Sequence, residues 1–554
     1  MTARFEEEKP KRKLELLRRK EEESSVKILS QKYKIPYVDL GTFPVETDAI
    51  KIVPEETARR AELVVFQVAG KRLDVAVRNP EKEETRAALR RLEEDHFTFN
   101  LYLASKSSLL RAWEIYKKVP VEYEAASGTV QLAPQKIIEL QKELTTLGGV
   151  GLRIEKGLAG RTTEVLEIIL AGALGLEASD VHVEPQKEKV RLRFRLDGLL
   201  HDVASLPPKV YNLLLSRIKL ISELKLNVHD RAQDGRFTVK TNSTDIEIRT
   251  SVLPGPHGEN TVLRILNPKA LQVPFEELGM QSWIIEIVAD ELKKPNGMIL
   301  TTGPTGSGKT TTLYAFLKKI HSPSVKIITI EDPIEYHLVG VEQTQVSPEN
   351  GYDFANGLRA IVRQDPDVIL VGEIRDFETA ETAMHAALTG HLVFSTLHTN
   401  SAAGTIPRLL DLGVKPAIIA PAINITMAQR LLRKLCVRCR TPVSVGVAEK
   451  KKIEAELGRY PKKAPLPKDW KIFKVTPKGC DDCSGIGYKG RIGVFEIILI
   501  NDVVERLILR EPSEFEIKKE AERQDQITMR QDGLLKVLAG ITDFEELERV
   551  VGTD

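Results

Sequence analysis

The sequence predicts a multidomain α/β protein with a parallel sheet in its second half. At 554 residues the chain is too long for one hydrophobic core, so three or more domains are expected. Short apolar runs at Lys326–Ile330, Asp367–Val371 and His391–Thr396 predict strands, and helical stretches separate them. Strands that alternate with helices are typical of a parallel sheet, because parallel neighbours need long crossover connections.

A phosphate-binding loop lies where this sheet begins. Residues 303–310 have the spacing G-x-x-x-x-G-K-T, with the strand end Met298–Leu300 before them and a helical stretch from Thr311 after them. Glycines let backbone N–H groups turn toward phosphate oxygens, and the helix presents its positive end to the same anion. Lys309 is expected to reach the β- and γ-phosphates, and the Thr310 hydroxyl to hold Mg²⁺. The residues expected to bind the nucleotide here are Gly303, Pro304, Thr305, Gly306, Ser307, Gly308, Lys309, Thr310 and Thr311.

Composition and charge narrow the class of protein. The 81 basic and 79 acidic side chains nearly cancel, which argues against nucleic acid as an obligatory partner. No apolar run reaches the length that spans a bilayer, and the segment after Phe5 lacks the hydrophobic core of a signal peptide. A cytoplasmic location is therefore expected, with docking on a membrane allowed.

Charge, proline and glycine divide the first half of the chain. The predicted parts are a charged N-terminal segment (1–25), an α/β docking domain (26–118), a linker (119–161), a second α/β domain (162–268) and a hinge linker (269–285). Within the linker, Gly148–Gly151 is expected to be flexible. In the second domain Val190–Asp197 alternates strictly, so Arg193 and Arg195 are expected on one solvated strand face.

The second half is predicted to contain a nucleotide-binding core (286–434), a metal-binding module (435–495) and a helical region (496–554). Four cysteines in two C-x-x-C pairs mark the module: Cys436, Cys439, Cys480 and Cys483. Such pairs can close a tetrahedral Zn²⁺ site, although their separation exceeds the usual finger spacing and residues 460–465 indicate an inserted loop. Free core cysteines or a redox pair are the alternatives.

The later strands of the core end in carboxylates, at the sheet edge where α/β folds bind ligands. ATP hydrolysis needs Mg²⁺ held against the phosphates, an aligned water and positive charge for the transition state. Gly372 stands where an aspartate usually precedes the glutamate, so Glu373 is expected to serve the Mg²⁺ shell alone. The carboxylate that positions water must then come from elsewhere, with Glu335 the first choice and Glu331 the second. For any one of these, a loop-capping role is the alternative.

Three strings at these strand ends together resemble the secretion ATPase superfamily, and in particular the hexameric motors of type II secretion and type IV pilus assembly. They are TIEDPIE at 329–335, VGEIRD at 371–376 and TGHLVFSTLHTN at 389–400. In that family they are the aspartate box, the Walker B motif and the histidine box. The resemblance runs from about Thr162 to Val551, and it implies a RecA-like ATPase core preceded by a PAS-like domain.

The resemblance also implies roles for individual residues. Glu335 would be the general base, Glu373 the residue on Mg²⁺ and the γ-phosphate, and His398 a γ-phosphate contact, while His391 would pack or orient. Four arginines match family positions that close on the phosphates, with structural salt bridges as the alternative for any one: Arg249, Arg264, Arg359 and Arg363.

The function implied is that of a homohexameric, Mg²⁺-dependent ATPase that powers assembly of type IV pili or a type II secretion pseudopilus. Arg430–Cys436 and Gly487–Gly493 resemble the zinc-loop flanks of secretion and pilus-extension members, whereas retraction members lack this loop. The implied partners are an inner-membrane platform protein and its cytoplasmic adaptor. A DNA-transfer motor of the conjugation branch and a nucleotide-binding scaffold without turnover are the alternatives.

The N-terminal domain carries a weaker resemblance. Ile35–Leu40 and Ile52–Pro54 are similar to the domain that docks these motors on their membrane platform. Some relatives bind cyclic di-GMP there through repeated Arg-Leu-Gly and Leu…Gln patterns. Residues 1–50 contain no such pattern, so this ligand is not expected.

Overall fold

A computed structural model describes most of the chain. The described residues are 21–40, 43, 45–50, 52–69, 72–94, 97–116, 129–131, 140, 144–158, 162–240, 245–268, 273–457 and 470–552. The chain divides into two compact units, Met1–Ala125 and Ala126–Asp554. Within the ranges given, no helix has both the length and the apolar character that crossing a membrane requires.

The first unit is a small α/β domain built on a three-stranded sheet in the order β1-β2-β3. β1 and β2 pair antiparallel, and β3 runs parallel to β2. Most of the predicted charged segment lies outside the described residues. Besides helical residues 21–33, the elements are α1 (Thr47–Ile50), α2 (Glu55–Arg60), β1 (Leu63–Ala69), β2 (Arg72–Val77), α3 (Glu83–Glu94), β3 (Thr98–Leu103) and α4 (Lys106–Trp113).

The second unit begins with a seven-stranded sheet in the order β4-β8-β9-β10-β5-β6-β7. All its pairs are antiparallel except β4 with β8. Every other side chain of β6 is buried, which places Arg193 and Arg195 together on the half-buried face. The elements are β4 (Thr129–Gln131), α5 (Leu147–Gly157), α6 (Thr162–Gly175), β5 (Asp180–Pro185), β6 (Val190–Leu196), β7 (Leu199–Leu206), α7 (Pro208–Ile221), β8 (Gln233–Lys240), β9 (Asp245–Gly255) and β10 (Gly258–Leu266).

Described parts of the segment predicted as a linker, 119–161, form a strand of this sheet and a helix. β4 pairs with β8, and α5 begins after Thr146, whose side chain accepts a hydrogen bond from Gly149 N. A Cβ on Gly151 would lie 2.5 Å from the carbonyl oxygen of Val203, so α5 approaches β7 more closely than any larger residue allows. Gly151, which was predicted to belong to a flexible stretch, therefore serves close packing, because tertiary contact outweighs its low helix propensity.

The nucleotide core is a second seven-stranded sheet in the order β13-β12-β14-β15-β11-β16-β19. All its pairs are parallel except β16 with β19, and β11, β12, β14 and β15 are buried throughout. This confirms the predicted α/β class. Its first elements are α8 (Ser282–Glu291), β11 (Gly297–Thr302), α9 (Lys309–Ile320), β12 (Ile327–Glu331), β13 (Glu342–Gln345), α10 (Phe354–Val362), β14 (Val368–Val371), α11 (Phe377–Leu388), β15 (Leu392–Leu397), α12 (Thr405–Asp411), α13 (Pro416–Ala422) and β16 (Ile423–Leu435), with short 3-10 helices at Phe275–Glu277 and Pro348–Asn350.

The cysteine module is an excursion between the last two strands of that sheet. Both of its predicted ends, 435 and 495, fall inside β16 and β19, while the predicted loop at 460–465 lies outside the described residues. The remaining elements are β17 (Thr441–Pro442), α14 (Val447–Glu456), β18 (Phe473–Lys474), the 3-10 helix Asp481–Cys483, β19 (Tyr488–Leu499), α15 (Asp502–Ile508), α16 (Glu514–Arg523), α17 (Met529–Leu538) and α18 (Phe544–Val551).

Helices follow Asn501, as the sequence predicts, and a buried charge pair ties them to the sheet. Asp532 accepts hydrogen bonds from Phe495 N at 2.8 Å and Lys536 Nζ at 2.6 Å. Both side chains are almost completely buried, so the loss of either partner would leave a buried charge uncompensated.

Candidate nucleotide site and cysteine cluster

The phosphate loop connects β11 to the first turn of α9. Gly306 and Gly308 have φ angles of 80° and 89°, which only glycine adopts readily, and Gly308 is the N-cap of α9. Lys309 Nζ donates hydrogen bonds to the carbonyl oxygens of Gly303 at 2.8 Å and Pro304 at 3.2 Å. Burial lowers the pKa of Lys309, while the Glu373 carboxylate acts in the opposite direction. The loop thus holds an N-terminal helix end and a half-buried ammonium group ready for an anion.

Glu373 follows β14 and lies between the side chains of Arg375 and His398. It contacts the Arg375 guanidinium, and its Oε2 lies 3.1 Å from His398 Nε2. Burial disfavours the charged form of Glu373, but the hydrogen bonds and charges of Arg375 and His398 outweigh it and hold its pKa below the usual range. An ionised carboxylate is therefore available beside the phosphate loop.

The loop that carries His398 is joined to the strand that leads into the phosphate loop. Thr302 Oγ1 accepts a hydrogen bond from Thr399 N at 2.8 Å and lies 2.7 Å from Thr399 Oγ1. β11 and β15 are parallel neighbours with Thr302 opposite Leu397. The two loops therefore leave the sheet side by side, which brings His398 to the same edge as Lys309.

Glu335 is held by an arginine from the preceding sheet. Arg249 Nη1 lies 3.4 Å from Glu335 Oε2, and Arg249 Nη2 donates to the carbonyl oxygen of Ile334 at 2.7 Å. Arg249 also lies 3.5 Å from Glu247 on its own strand. Two residues predicted to act on the nucleotide thus meet each other across the two seven-stranded sheets.

Glu331, the second choice for the water-positioning carboxylate, is enclosed in the core. Its side chain accepts hydrogen bonds from Thr329 Oγ1 at 2.6 Å, Gln343 Nε2 at 3.1 Å and the Tyr314 hydroxyl. The residue is only 4 % exposed. With both oxygens used by buried neighbours, this geometry argues against its predicted contact with nucleotide and for a structural role in fixing the end of β12.

The other predicted arginines contact their own surroundings. Arg264 Nε lies 3.0 Å from Asp180 Oδ1, and the Arg264 side chain is 58 % exposed. Arg359 donates to Asn356 Oδ1 at 3.0 Å and pairs with Glu378, whereas Arg363 is exposed. Of the four arginines, the structure brings Arg249 to a strand-end loop of the nucleotide core and leaves the other three at the surface or in local pairs.

Two arginines at the site were missed by the assignment of roles from sequence. Arg375 stands two residues after Glu373 and pairs with it, so the spacing in VGEIRD carried the signal. Arg430 lies on β16, next to β11, and only the order of the strands places it beside the phosphate loop.

The four cysteines converge as their spacing predicts. Their Sγ atoms all lie within 4.8 Å of one another. The backbone N–H groups of Cys480 and Gly487 point at Cys483 Sγ, at 3.2 and 3.1 Å. Burial disfavours the Cys483 thiolate, but these N–H groups, together with the thiols of Cys439 and Cys480, outweigh it and lower the pKa of Cys483 to about 7. Four converging sulfurs, with N–H groups that stabilise a thiolate, form a set of ligands that fits Zn²⁺.

The fold and the phosphate loop define a P-loop ATPase, and comparison with known proteins specifies which kind. Residues 158–549 match the Type II/IV secretion system protein family, and residues 33–119 match the MshEN domain. The chain belongs to the Type II/IV secretion system protein family. This confirms the resemblance stated from the motifs, and it makes the protein an enzyme that hydrolyses ATP, with Mg²⁺ as the general cofactor of that reaction.

Pilus assembly ATPases and type II secretion proteins are both among the similar relatives. The type IV pilus assembly ATPase PilB of Myxococcus xanthus is 37% identical over 530 residues, which are 95% of this chain and 91% of that protein. PilB of Pseudomonas aeruginosa is 35% identical over 94% of this chain and 89% of its own length. The type II secretion system protein E of Aeromonas hydrophila is 42% identical over 390 residues, 70% of this chain and 75% of that protein.

Proposed function

We propose that this ATPase powers the assembly of type IV pili. The observation that carries the proposal is the extent of similarity: the pilus assembly ATPases align with nearly the whole chain, whereas the type II secretion proteins align with about 70% of it. An alignment over 95% of the chain leaves out too few residues to exclude the N-terminal domain, the part expected to dock on a membrane platform.

The site residues have the following proposed roles. Lys309 and the N–H groups of the phosphate loop bind the phosphates, and the Thr310 hydroxyl and Glu373 hold Mg²⁺, which neutralises phosphate charge when bound. His398, which is hydrogen-bonded to Glu373, contacts the γ-phosphate side. The ionised state of Glu373 supports this role, because a neutral carboxyl would be a poor ligand for a hard cation.

Glu335 is proposed as the general base. It accepts a proton from the attacking water while a new bond forms between the water oxygen and the γ-phosphorus. The bond from phosphorus to the bridging oxygen breaks, and ADP leaves with inorganic phosphate. The contact between Arg249 and Glu335 supports a change of partner during turnover. When the two sheets close, Arg249 would leave Glu335 and bind the phosphates. Arg264, Arg359 and Arg363 are proposed to join the phosphates only in such a closed or oligomeric state.

The working assembly is proposed to be a cytoplasmic homohexamer docked on an inner-membrane platform protein and its adaptor. Domain motion would use the hinge segment 269–285, and obligatory nucleic acid is not part of the proposal. Zn²⁺ is proposed to be held by Cys436, Cys439, Cys480 and Cys483, where it would fix the excursion between β16 and β19.

The test has a biochemical and a cellular part. Purified protein should hydrolyse ATP with a rate per chain that rises with protein concentration, and Lys309→Ala should abolish that rate; constant activity on dilution would contradict the hexamer. In the host, a chromosomal Glu373→Gln replacement should remove surface pili seen by electron microscopy and leave enzyme secretion intact. Stimulation of the ATPase by DNA would instead favour a DNA-transfer motor.

Assembly of a type II secretion pseudopilus is the second candidate. It is favoured by the higher identity, 42–43%, to type II secretion proteins over the aligned 386–390 residues. If Glu373→Gln leaves pili in place and traps enzymes inside the cell, this candidate replaces the first.

A further inference from the structure

Arg430 passes alongside the phosphate loop on a strand remote in sequence. β16 runs parallel to β11, with Ala428 opposite Thr302, so the next residues of β16 flank the loop that follows Thr302. A Cβ on Gly303 would lie 2.6 Å from Gln429 O and 3.2 Å from Arg430 Nη1. The guanidinium is thus packed directly against the first residue of the loop.

The hydrogen bonds of Arg430 all go to neutral oxygens. Nη1 donates to Gln429 O at 3.0 Å, and Nη2 donates to the backbone and side-chain oxygens of Asn400 at 3.1 and 3.3 Å. Within the described part of the chain, no carboxylate oxygen lies within 4.0 Å of the guanidinium. A half-buried cation is thus held in place by its neighbours without a counter-ion.

The charged groups around Arg430 offer little negative charge to balance its guanidinium. Burial lowers the pKa of Arg430, and the acidic group that opposes this is Glu496. Burial in turn raises the pKa of Glu496, which favours its neutral form. On the other side of the loop, the charge of Arg430 adds to burial in lowering the pKa of Lys309, while Glu373 is already shared by Arg375 and His398. Two cations therefore adjoin one loop that has little negative charge of its own.

We propose that Arg430 is a phosphate-binding cation of the ATP site, whose charge is balanced by the phosphates of the bound nucleotide. Its second nitrogen remains on Asn400, two residues after His398, so the same side chain joins the phosphate loop to the histidine loop. This inference rests on the proposed binding of nucleotide at Lys309. The inference adds a phosphate ligand that lies on the same sheet as the phosphate loop. This ligand is separate from the arginines expected from the preceding sheet.

The test is ADP affinity, measured by titration calorimetry with Mg²⁺ on the full chain. Arg430→Gln keeps a hydrogen-bonding side chain and removes the charge, so the Kd for ADP should rise about tenfold or more. Arg430→Lys keeps the charge and should stay close to wild type. Lys434→Gln, an exposed charge removal on the same strand, is the matched control and should not change the Kd. Turnover at saturating ATP should fall less than kcat/KM, since the lost interaction is one of binding.

Each result of the ADP titration supports or overturns a specific statement about Arg430 or about the proposed function. If wild type binds ADP and Arg430→Gln binds it equally well, the inference is overturned while the proposed function stands. Equal weakening by Arg430→Lys and Arg430→Gln would make Arg430 a structural bridge and would also overturn it. If the wild-type chain binds no ADP, the proposed function itself fails. Thermal unfolding of the ligand-free variants checks folding, and Arg430→Met, which keeps the aliphatic stem, replaces Arg430→Gln if the latter does not fold.

Discussion

The two seven-stranded sheets of the second unit use their faces in different ways. In the mainly antiparallel sheet, β6 buries alternate side chains and leaves a half-buried face with Arg193 and Arg195. In the mainly parallel sheet, β11 is buried from end to end. The first sheet therefore presents charged side chains along a strand, whereas most site residues of the second follow its strand ends, with Arg430 within β16 as an exception.

This difference explains where the charged side chains of the site come from. Glu335, Glu373 and His398 follow strands of the parallel sheet, and the neighbouring antiparallel sheet supplies Arg249 from the middle of a strand. Arg249 and Arg264 are register partners on β9 and β10, yet they contact different groups. Two arginines on the same face of a sheet can therefore have different roles. We expect the role of each to depend on its distance from the strand ends of the parallel sheet.

The largest expected effect tests the chemistry at the parallel strand ends. Glu335→Gln should lower kcat by about 10²–10⁴-fold, because the carboxamide cannot accept the proton of the attacking water. Phosphate release under saturating ATP measures it. Glu342→Gln, an exposed substitution on β13 of the same sheet, is the control and should keep full activity. If the Glu335→Gln enzyme kept the wild-type kcat, the general base would have to be a residue other than Glu335.

The sequence predicted the four central strands β11, β12, β14 and β15 because they are short and apolar, but it did not predict the polar β13 or the long β16. It also predicted the phosphate loop and the cysteine cluster, whose residues are close in sequence or paired by spacing. It failed at Leu147–Gly157, a helix that was predicted to be part of a linker, because Gly151, which the approach of α5 to β7 needs, looks like a linker glycine. A local pattern cannot show whether a glycine is present for freedom or for contact.

The site shows the same limit. Glu331 and Glu335 belong to one string, and nothing in that string reveals that Tyr314, Thr329 and Gln343 enclose the first of them. Arg430 is more than a hundred residues from the phosphate loop in the sequence. Contacts of this kind depend on strand order, which motifs alone do not give.

The next effect concerns the antiparallel edge of the otherwise parallel sheet. Removing the metal with a chelator, or Cys480→Ser, should destabilise β19 and the end of β16, since a metal present at a thousand times its Kd contributes about 4 kcal/mol. Hydrogen exchange should accelerate in β19 and remain slow in β11. Elemental analysis should show one Zn²⁺ per chain in wild type and in the exposed control Val437→Ala. Unchanged exchange in metal-free protein would show that the sheet edge folds without the metal.

A smaller effect separates the two arginines on β9 and β10. Arg249→Gln should reduce kcat by about 10²-fold, a loss typical for removal of one transition-state donor. Arg264→Gln should reduce it less, because Arg264 is exposed and pairs with Asp180 on its own sheet. Steady-state kinetics at matched protein concentration makes the comparison. If both variants lost kcat equally, both arginines would contact the phosphates, as the family resemblance implies. Arg264 would then have to leave Asp180 in the active state.

The smallest effect belongs to the two arginines of β6, whose ion pairs lie within the antiparallel sheet. Arg193 pairs with Glu184 across β5 and β6, and cross-strand pairs of this kind contribute about 0.2–1 kcal/mol. Arg193→Gln should therefore lower Tm by about 1–4 °C and leave kcat unchanged. Arg195→Gln, which breaks the neighbouring pair with Asp180, is the matched variant and should behave alike. A marked loss of kcat in either variant would mean that the arginines of β6 act on the nucleotide. The distinction between these arginines and the site residues at the strand ends of the parallel sheet would then be wrong.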